Sequence, residues 1–198
     1  TDVQYGFVND VDDDQKRLIA ASYPLESGET LRVINGYFPQ GESRAHPTKF
    51  PAKEKFYADL LAYLDSNFNA DDLVSVMGDM NVAANDMDVG IKPENAKRWL
   101  KTGKCAFLPE EREWLRRLCD WGLQDSYRSM NAEDTRSYSW FDYRSKGFDL
   151  EPKRGLRIDL ILASPSLMKL ITETGIDSAA RGFEKPSDHC PIWADLRL

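Results

Sequence analysis

The chain has 198 residues, 41% of them hydrophobic and 30% charged, with a formal net charge of −7. This composition is ordinary for a soluble globular protein with one substantial core, and no apolar run is long enough to span a membrane. The acidic balance argues against bulk attraction to a polyanion, although a nucleic-acid enzyme needs only a local basic surface around an acidic metal site.

Thr1–Gly6 carries neither an initiator methionine nor a signal peptide, so the chain reads as if it begins inside a fold. Residues 10–14 form an acidic turn that lacks the glycine and distal glutamate of a helix-loop-helix calcium site, and a solvated loop is expected. Arg17–Ala21 reads as a strand, and the turn at Glu26–Glu29 joins it to Leu31–Gly36 as a hairpin. A Gly- and Pro-containing loop follows at Tyr37–Gly41. Pro51–Phe68 is a predicted helix, with Phe56, Leu60, Leu64 and Phe68 recurring every fourth residue and Pro51 in the first turn. Leu73–Met77 is a strand-length, mostly apolar run that ends in Gly78, Asp79 and Asn81. Such an ending can be an Asx turn, or a carboxylate and an amide placed at a strand end to meet a metal, a water or a phosphate.

Residues 85–108 lack sustained periodicity apart from a short helix around Glu94–Lys101. Lys92, Lys97, Arg98, Lys101 and Lys104 are interleaved with Trp99 and Phe107, which suits phosphate contacts with base stacking, or a solvated surface with its aromatics folded under it. Pro109–Trp121 is the second predicted helix, with Glu110 and Glu111 in its first turn, Trp114, Leu118 and Trp121 on its core face, and Gly122 at its end. An aromatic segment, Ser139–Tyr143, precedes a strand at Ile158–Leu162 that contains Asp159. An unpaired buried carboxylate costs several kcal/mol, so Asp159 is expected to have a dedicated partner. Ser164-Pro165 opens a short helix expected to run through Ile171, Pro186–His189 is a loop, and Ile192–Leu196 is the last strand. The three cysteines, Cys105, Cys119 and Cys190, have no paired or metal-type spacing and are expected to be reduced thiols of a cytoplasmic protein.

Asp79, Asn81, Asp159 and the pair Asp188-His189 are the polar groups at strand ends or within strands. His189 is one of only two histidines, and it stands beside an aspartate on a short loop. A hard cation needs only one or two carboxylates, a carboxylate can position water, and an imidazolium and an amide can donate to charge developing on phosphorus. The set suits phosphodiester hydrolysis if the folded chain brings it together.

Seven segments resemble the bacterial exonuclease III family of the endonuclease/exonuclease/phosphatase superfamily: 35–41, 78–81, 102–105, 107–112, 139–145, 156–159 and 185–189. Gly-Asp-x-Asn and Ser-Asp-His are shared across the superfamily. Tyr-Phe-Pro-Gln-Gly, Phe-Leu-Pro-Glu-Glu-Arg and Ser-Trp-Phe-Asp-Tyr are more specific. The resemblance implies an α+β fold in which two mostly mixed β-sheets pack as a sandwich flanked by helices, in four layers α/β/β/α. It also implies a Mg2+- or Mn2+-dependent nuclease of duplex DNA with 3′ ends or abasic sites, monomeric when full length. By the same resemblance, Asp79 orients or activates the attacking water, and Asn81 holds that water or the phosphate. His189 contacts a phosphate oxygen with Asp159 as its buried partner, and Tyr37 donates to the phosphate or leaving group. Asp79, Asn81, Asp188 and His189 form the expected metal set. Gln40, Lys49, Arg98, Lys101 and Lys104 contact DNA, and Trp140 with Phe141 forms a wall that receives an abasic sugar.

Two family motifs, Phe-Asn-x-Asn-Gly and Gln-Glu-Thr-Lys at the ends of the first two strands, do not occur in these 198 residues. The glutamate of the second is the family's principal metal ligand. The expectation is therefore one domain over 1–198 that is incomplete at its N-terminus, with a partial metal site and a sheet edge open to association. A non-catalytic DNA-binding remnant is the alternative reading. A phosphatase of lipid or inositol phosphates is disfavoured by the basic 92–104 segment and by Trp140-Phe141.

Overall fold

The computed structural model describes residues 2–7 and 15–198, so the acidic turn expected at 10–14 lies outside the described residues. Eight strands and five helices follow in chain order: β1 (Asp2–Tyr5), β2 (Leu18–Pro24), β3 (Thr30–Tyr37), α1 (Lys49–Asn67), β4 (Leu73–Asp79), α2 (Pro93–Thr102), α3 (Pro109–Trp121), β5 (Gln124–Asp125), α4 (Ser126–Met130), β6 (Asp159–Ala163), α5 (Pro165–Met168), β7 (Ile171–Ile176) and β8 (Ile192–Leu196). They form a six-stranded mixed sheet in the order β1-β2-β3-β4-β6-β5 and a separate two-stranded sheet, β7-β8. Among the described residues, no helix is long and apolar enough to cross a membrane.

The main core lies between the six-stranded sheet and the face formed by α1 and α3. Ile34, Val74, Val76, Leu160 and Leu162 from the sheet meet Phe56, Tyr57, Leu60 and Leu64 of α1 and Trp114, Leu115 and Leu118 of α3. The helical residues follow the i, i+3, i+4, i+7 spacing of a core-facing stripe. A second cluster, Leu31, Leu73, Ala163, Leu167 and Ile171, continues toward β7-β8.

The parallel β3-β4 pair places Gly36 opposite Gly78 and Tyr37 opposite Asp79, and the antiparallel β4-β6 pair places Asp79 opposite Asp159. A site is thereby assembled at one end of three neighbouring strands. Gly78 has φ +127°, and a Cβ there would lie 2.1 Å from the Gly36 carbonyl oxygen, so glycine alone lets β3 and β4 close up beside the two aspartates.

One expectation needs correction, and other stretches are more structured than periodicity alone indicates. The helix at Ser164-Pro165 stops at Met168, and Ile171 begins β7, where it pairs with Leu196. The apolar cluster Leu167, Met168, Leu170 and Ile171 has helical density, but the β-branched alternation after it belongs to a strand. β1 precedes the first strand read from the sequence, and β5 with α4 falls in a stretch with no periodic signal because both are too short to have one. The 85–108 connection is ordered: Asn85 caps a 3-10 turn at Asp86–Asp88, and α2 ends on Gly103 at φ +70°.

Gly78→Ala should cost about 3 kcal/mol or more, since it combines a backbone clash with a disfavoured φ. Urea unfolding checks this, and a wild-type midpoint would contradict the close β3-β4 approach.

Candidate active site

A cleft of about 580 Å³ opens at this end of the sheet, lined by residues that include Tyr37, Gln40, Asp79, Asn81, Trp99, Lys104, Trp140, Asp159, Asp188 and His189. Asp79 is the last residue of β4, and its carboxylate accepts from the Asn81 backbone N–H at 2.9 Å and from Asn81 Nδ2 at 3.0 Å. Asn81 Nδ2 also donates to the Phe38 carbonyl at 2.9 Å. These bonds hold Asn81 in the left-handed region, φ +53°, which asparagine tolerates better than most residues.

His189 lies between the two aspartates. Its Nδ1 donates to Asp159 Oδ2 at 2.9 Å and lies 3.0 Å from Oδ1. Its Nε2 is 4.0 Å from Asp79 Oδ2. Because a carboxylate only accepts, this contact places the proton on Nδ1 and leaves Nε2 facing the cleft. The partner expected for Asp159 is therefore His189.

The loop that carries His189 is fixed by the aromatic segment. Trp140 exchanges both backbone bonds with Leu156 at 2.9 Å, and the Phe141 N–H donates to the Asp188 carbonyl at 2.8 Å. The buried Ser139 hydroxyl accepts from the backbone N–H groups of Ile158 and Asp159, each at 3.0 Å, which sets where β6 begins. Ser139 was not identified from the sequence, and a lone serine beside an aromatic run gives no signal of this role.

Burial pushes the Asp79 carboxyl up to about 6, and the neighbouring Asp159 charge adds to the rise against the opposing pull of His189. For His189, burial acts against the charged form, but the hydrogen bond and charge of Asp159, with the charges of Asp79 and Asp188, outweigh it and raise its pKa above the ordinary value.

The expected metal set is met in part. Asp79, Asp159 and His189 each offer a ligand atom, and these atoms lie within 4.8 Å of one another among the described residues. Two carboxylates with the Asn81 amide nearby fit a hard divalent cation, and the raised Asp79 pKa is what carboxylates short of positive charge should show. Asp188 is outside this cluster; its Oδ2 accepts the Trp140 indole N–H at 3.0 Å. The indole is thus held edge-on to the loop and forms one wall of the cleft.

The expected DNA contacts divide. Gln40, Lys104 and Trp140 line the cleft, whereas Lys49, Arg98 and Lys101 are exposed outside its lining, and Lys49 Nζ pairs with Glu42 Oε2 at 2.6 Å. Phe141 is corrected: it is 1% exposed and packs edge-on against Tyr138 and Phe148, because consecutive residues of this extended segment point to opposite sides. The second aromatic in the cleft is Trp99, which stacks on Phe107 at 5.6 Å and carries the Lys104 ammonium 3.7 Å from its ring centre. Tyr37 is 58% exposed, and the Arg17 guanidinium lies 4.9 Å from its ring centre.

Below the cleft, Arg157 is 1% exposed and bridges Asp88 (2.7 Å) and Asp125 (2.6 Å). The three cysteines are free, as expected, and burial first, with neighbouring carboxylates, raises the Cys105 thiol to about 12.

Residues 4–189 match the endonuclease/exonuclease/phosphatase family. Exodeoxyribonuclease III of Haemophilus influenzae is 56% identical over 195 residues, covering 98% of this chain and 72% of that protein. A 3′ phosphatase from Neisseria solved with a product DNA hairpin superposes with a TM-score of 0.84 at 35% identity, covering all of this chain and 71% of that one. An AP endonuclease from Archaeoglobus fulgidus superposes with a TM-score of 0.84 at 32% identity, covering all of this chain and 71% of that one.

In metal-free protein, the Asp79 carboxyl carbon should titrate near pH 6 by NMR, and magnesium should move that titration lower. The sign follows from linkage: the folded form holds this proton above the unfolded value, so ionising Asp79 removes on the order of 3 kcal/mol of stability as pH rises through about 6. Titration at an ordinary aspartate value would contradict the buried, paired geometry.

Proposed function

The chain belongs to the endonuclease/exonuclease/phosphatase family, and on that premise we propose that it is a metal-dependent DNA repair nuclease. It hydrolyses phosphodiesters of duplex DNA at 3′ ends and abasic sites, with residues 1–198 acting as one domain. The observation that carries this reading is the Asp79–His189–Asp159 cluster, with Tyr37 and Asn81 lining the same cleft.

Each group has work that its geometry allows. Asp79, with a raised affinity for protons, accepts a hydrogen bond from the attacking water and can take up its proton. Asn81 holds the Asp79 carboxylate through Nδ2, and among the described residues no donor reaches its Oδ1, which can accept from the same water. His189, its Nδ1 held by Asp159, directs Nε2 at a non-bridging phosphate oxygen, and its positive charge stabilises the transition state. The Tyr37 hydroxyl, on the exposed rim, donates to the phosphate or the leaving group. A divalent cation, which we take to be Mg2+ or Mn2+, would be held by Asp79 and its neighbours and would supply charge to the phosphoryl and leaving oxygens.

Substrate choice follows from the cleft's walls. Trp140 and Trp99 both line the cleft and would flank a sugar ring without its base, while Lys104 on the same wall would meet the backbone phosphate. Selection by the shape of an extruded sugar, together with phosphate contacts, requires little sequence reading.

The test is cleavage of a duplex carrying one abasic site, with magnesium or manganese. The wild-type protein should nick it and a chelator should stop it. If neither metal supports cleavage, the nuclease reading fails. Asp79→Asn should lower the rate by about 1,000-fold or more with the fold intact, whereas full activity would refute the role of Asp79. Asp159→Asn should cost about 100-fold or more in kcat, because it removes the group that orients His189. Trp140→Ala should weaken selection of abasic over intact duplex by about 10-fold, corresponding to the loss of one stacking wall, and competition between the two duplexes would reveal it.

A further inference from the structure

The reaction as derived leaves unused two fully buried charges that lie directly beneath the cleft. Lys53 and Glu111 are each 0% exposed, with Nζ 2.5 Å from Oε1. The same ammonium donates to the Asn81 carbonyl at 2.9 Å and to the Gln40 carbonyl at 3.4 Å. The other carboxylate oxygen of Glu111 accepts from the backbone N–H groups of Ala106 at 2.9 Å and Leu108 at 2.8 Å. One ion pair therefore ties together three cleft-lining segments, those carrying Gln40, Asn81 and Ala106.

The surroundings are built to this pair. Tyr57, one helical turn beyond Lys53, donates its hydroxyl to the Met80 carbonyl at 2.8 Å, and the Phe38 N–H donates to the Asp79 carbonyl at 2.9 Å. Three successive carbonyls, those of Asp79, Met80 and Asn81, thus have dedicated donors. Gly41, at φ +85°, closes over the lysine stem; a Cβ there would lie 3.0 Å from Lys53 Cδ.

A buried ion pair is a poor way to gain stability, because apolar residues of similar volume commonly serve as well or better. Its value lies in what it holds. Asn81 occupies a backbone region few side chains enter, and its amide reaches both Asp79 and Phe38 only while that conformation is kept.

We propose that Lys53 and Glu111 are positioning residues for the nuclease reaction: they lock the Asn81 backbone so that its side chain holds the Asp79 carboxylate at the reacting phosphate. This rests on the nuclease reading above. The test is the double variant Lys53→Met/Glu111→Gln, which removes both charges at similar volume and keeps an oxygen for the two N–H groups. Its amide spectrum should report an intact fold. Its kcat on abasic duplex should fall at least 30-fold with KM within two-fold. The Asn81 Nδ2 protons should exchange with water at least ten times faster. If the double variant does not fold, Glu111→Gln alone carries the test, with an expected kcat loss of five-fold or more, unchanged KM and faster Asn81 exchange. A wild-type value in either readout overturns the proposal. Wild-type protein that cuts no abasic duplex sinks the nuclease reading instead, and the Asn81 exchange rate then decides the role of the pair.

Discussion

Two carboxylates facing each other on neighbouring strands are the constraint from which the rest of this molecule follows. The antiparallel register of β4 and β6 sets Asp79 opposite Asp159, where like charges oppose one another and burial penalises the Asp79 charge. Two unit charges at about 4 Å in a partly screened site interact with about 4 kcal/mol, a large fraction of a domain's whole stability. The conflict is tolerable because His189 stands between them, bonded to one and 4.0 Å from the other. The same conflict makes the site reactive: a carboxylate that retains its proton too readily is one that can accept a proton from water, and one that welcomes a cation.

Keeping such a centre rigid takes polar structure beneath it. Arg157 joins Asp88 and Asp125 under the start of β6, and burial, which works against its charge, is outweighed by those two carboxylates so that its pKa stays above the ordinary value. Lys53 and Glu111 do the corresponding work on the other side, under Asn81. Arg157, Lys53 and Glu111 each meet opposite charges or backbone groups, which is the condition under which buried ions specify a conformation without unfolding the protein. Position within about an ångström matters at such sites, because a reacting group displaced that far forfeits much of its effect. Ordinary hydrophobic packing, which is non-directional, fixes elements less finely than this.

Net charge is a poor guide to the partner here. A chain of net charge −7 can still meet DNA where its cations are grouped, and the cleft supplies one: Lys104, seated on the Trp99–Phe107 stack. Partial burial lowers its pKa from the ordinary lysine value. Much of the remaining cationic surface is already engaged with carboxylates, as with Lys49 and Glu42, Arg44 and Glu110, and Arg116 with Glu113 and Asp120.

The sequence by itself determined the elements with strong periods and the residues with strong chemistry. α1 and α3 were legible from their apolar stripes, β4 from its apolar run, Asp79, Asn81, Asp159 and His189 from their chemical types, and Tyr37 from the resemblance to a family. A further signal was present and unread: Lys53 heads the stripe Phe56, Tyr57, Leu60, and Glu111 heads the stripe Trp114, Leu115, Leu118, so each charge stands on an apolar face where only a buried partner could satisfy it. What only the tertiary structure decided is which distant residues meet. That Lys53 of α1 pairs with Glu111 of α3, and that Phe141 turns inward while Trp99 reaches the cleft, depend on how helices and loops pack across the sheet. Local sequence fixes the periodicity of an element because neighbours along the chain repeat at a set pitch. It leaves the register between elements open, because that is set by contacts between residues many positions apart.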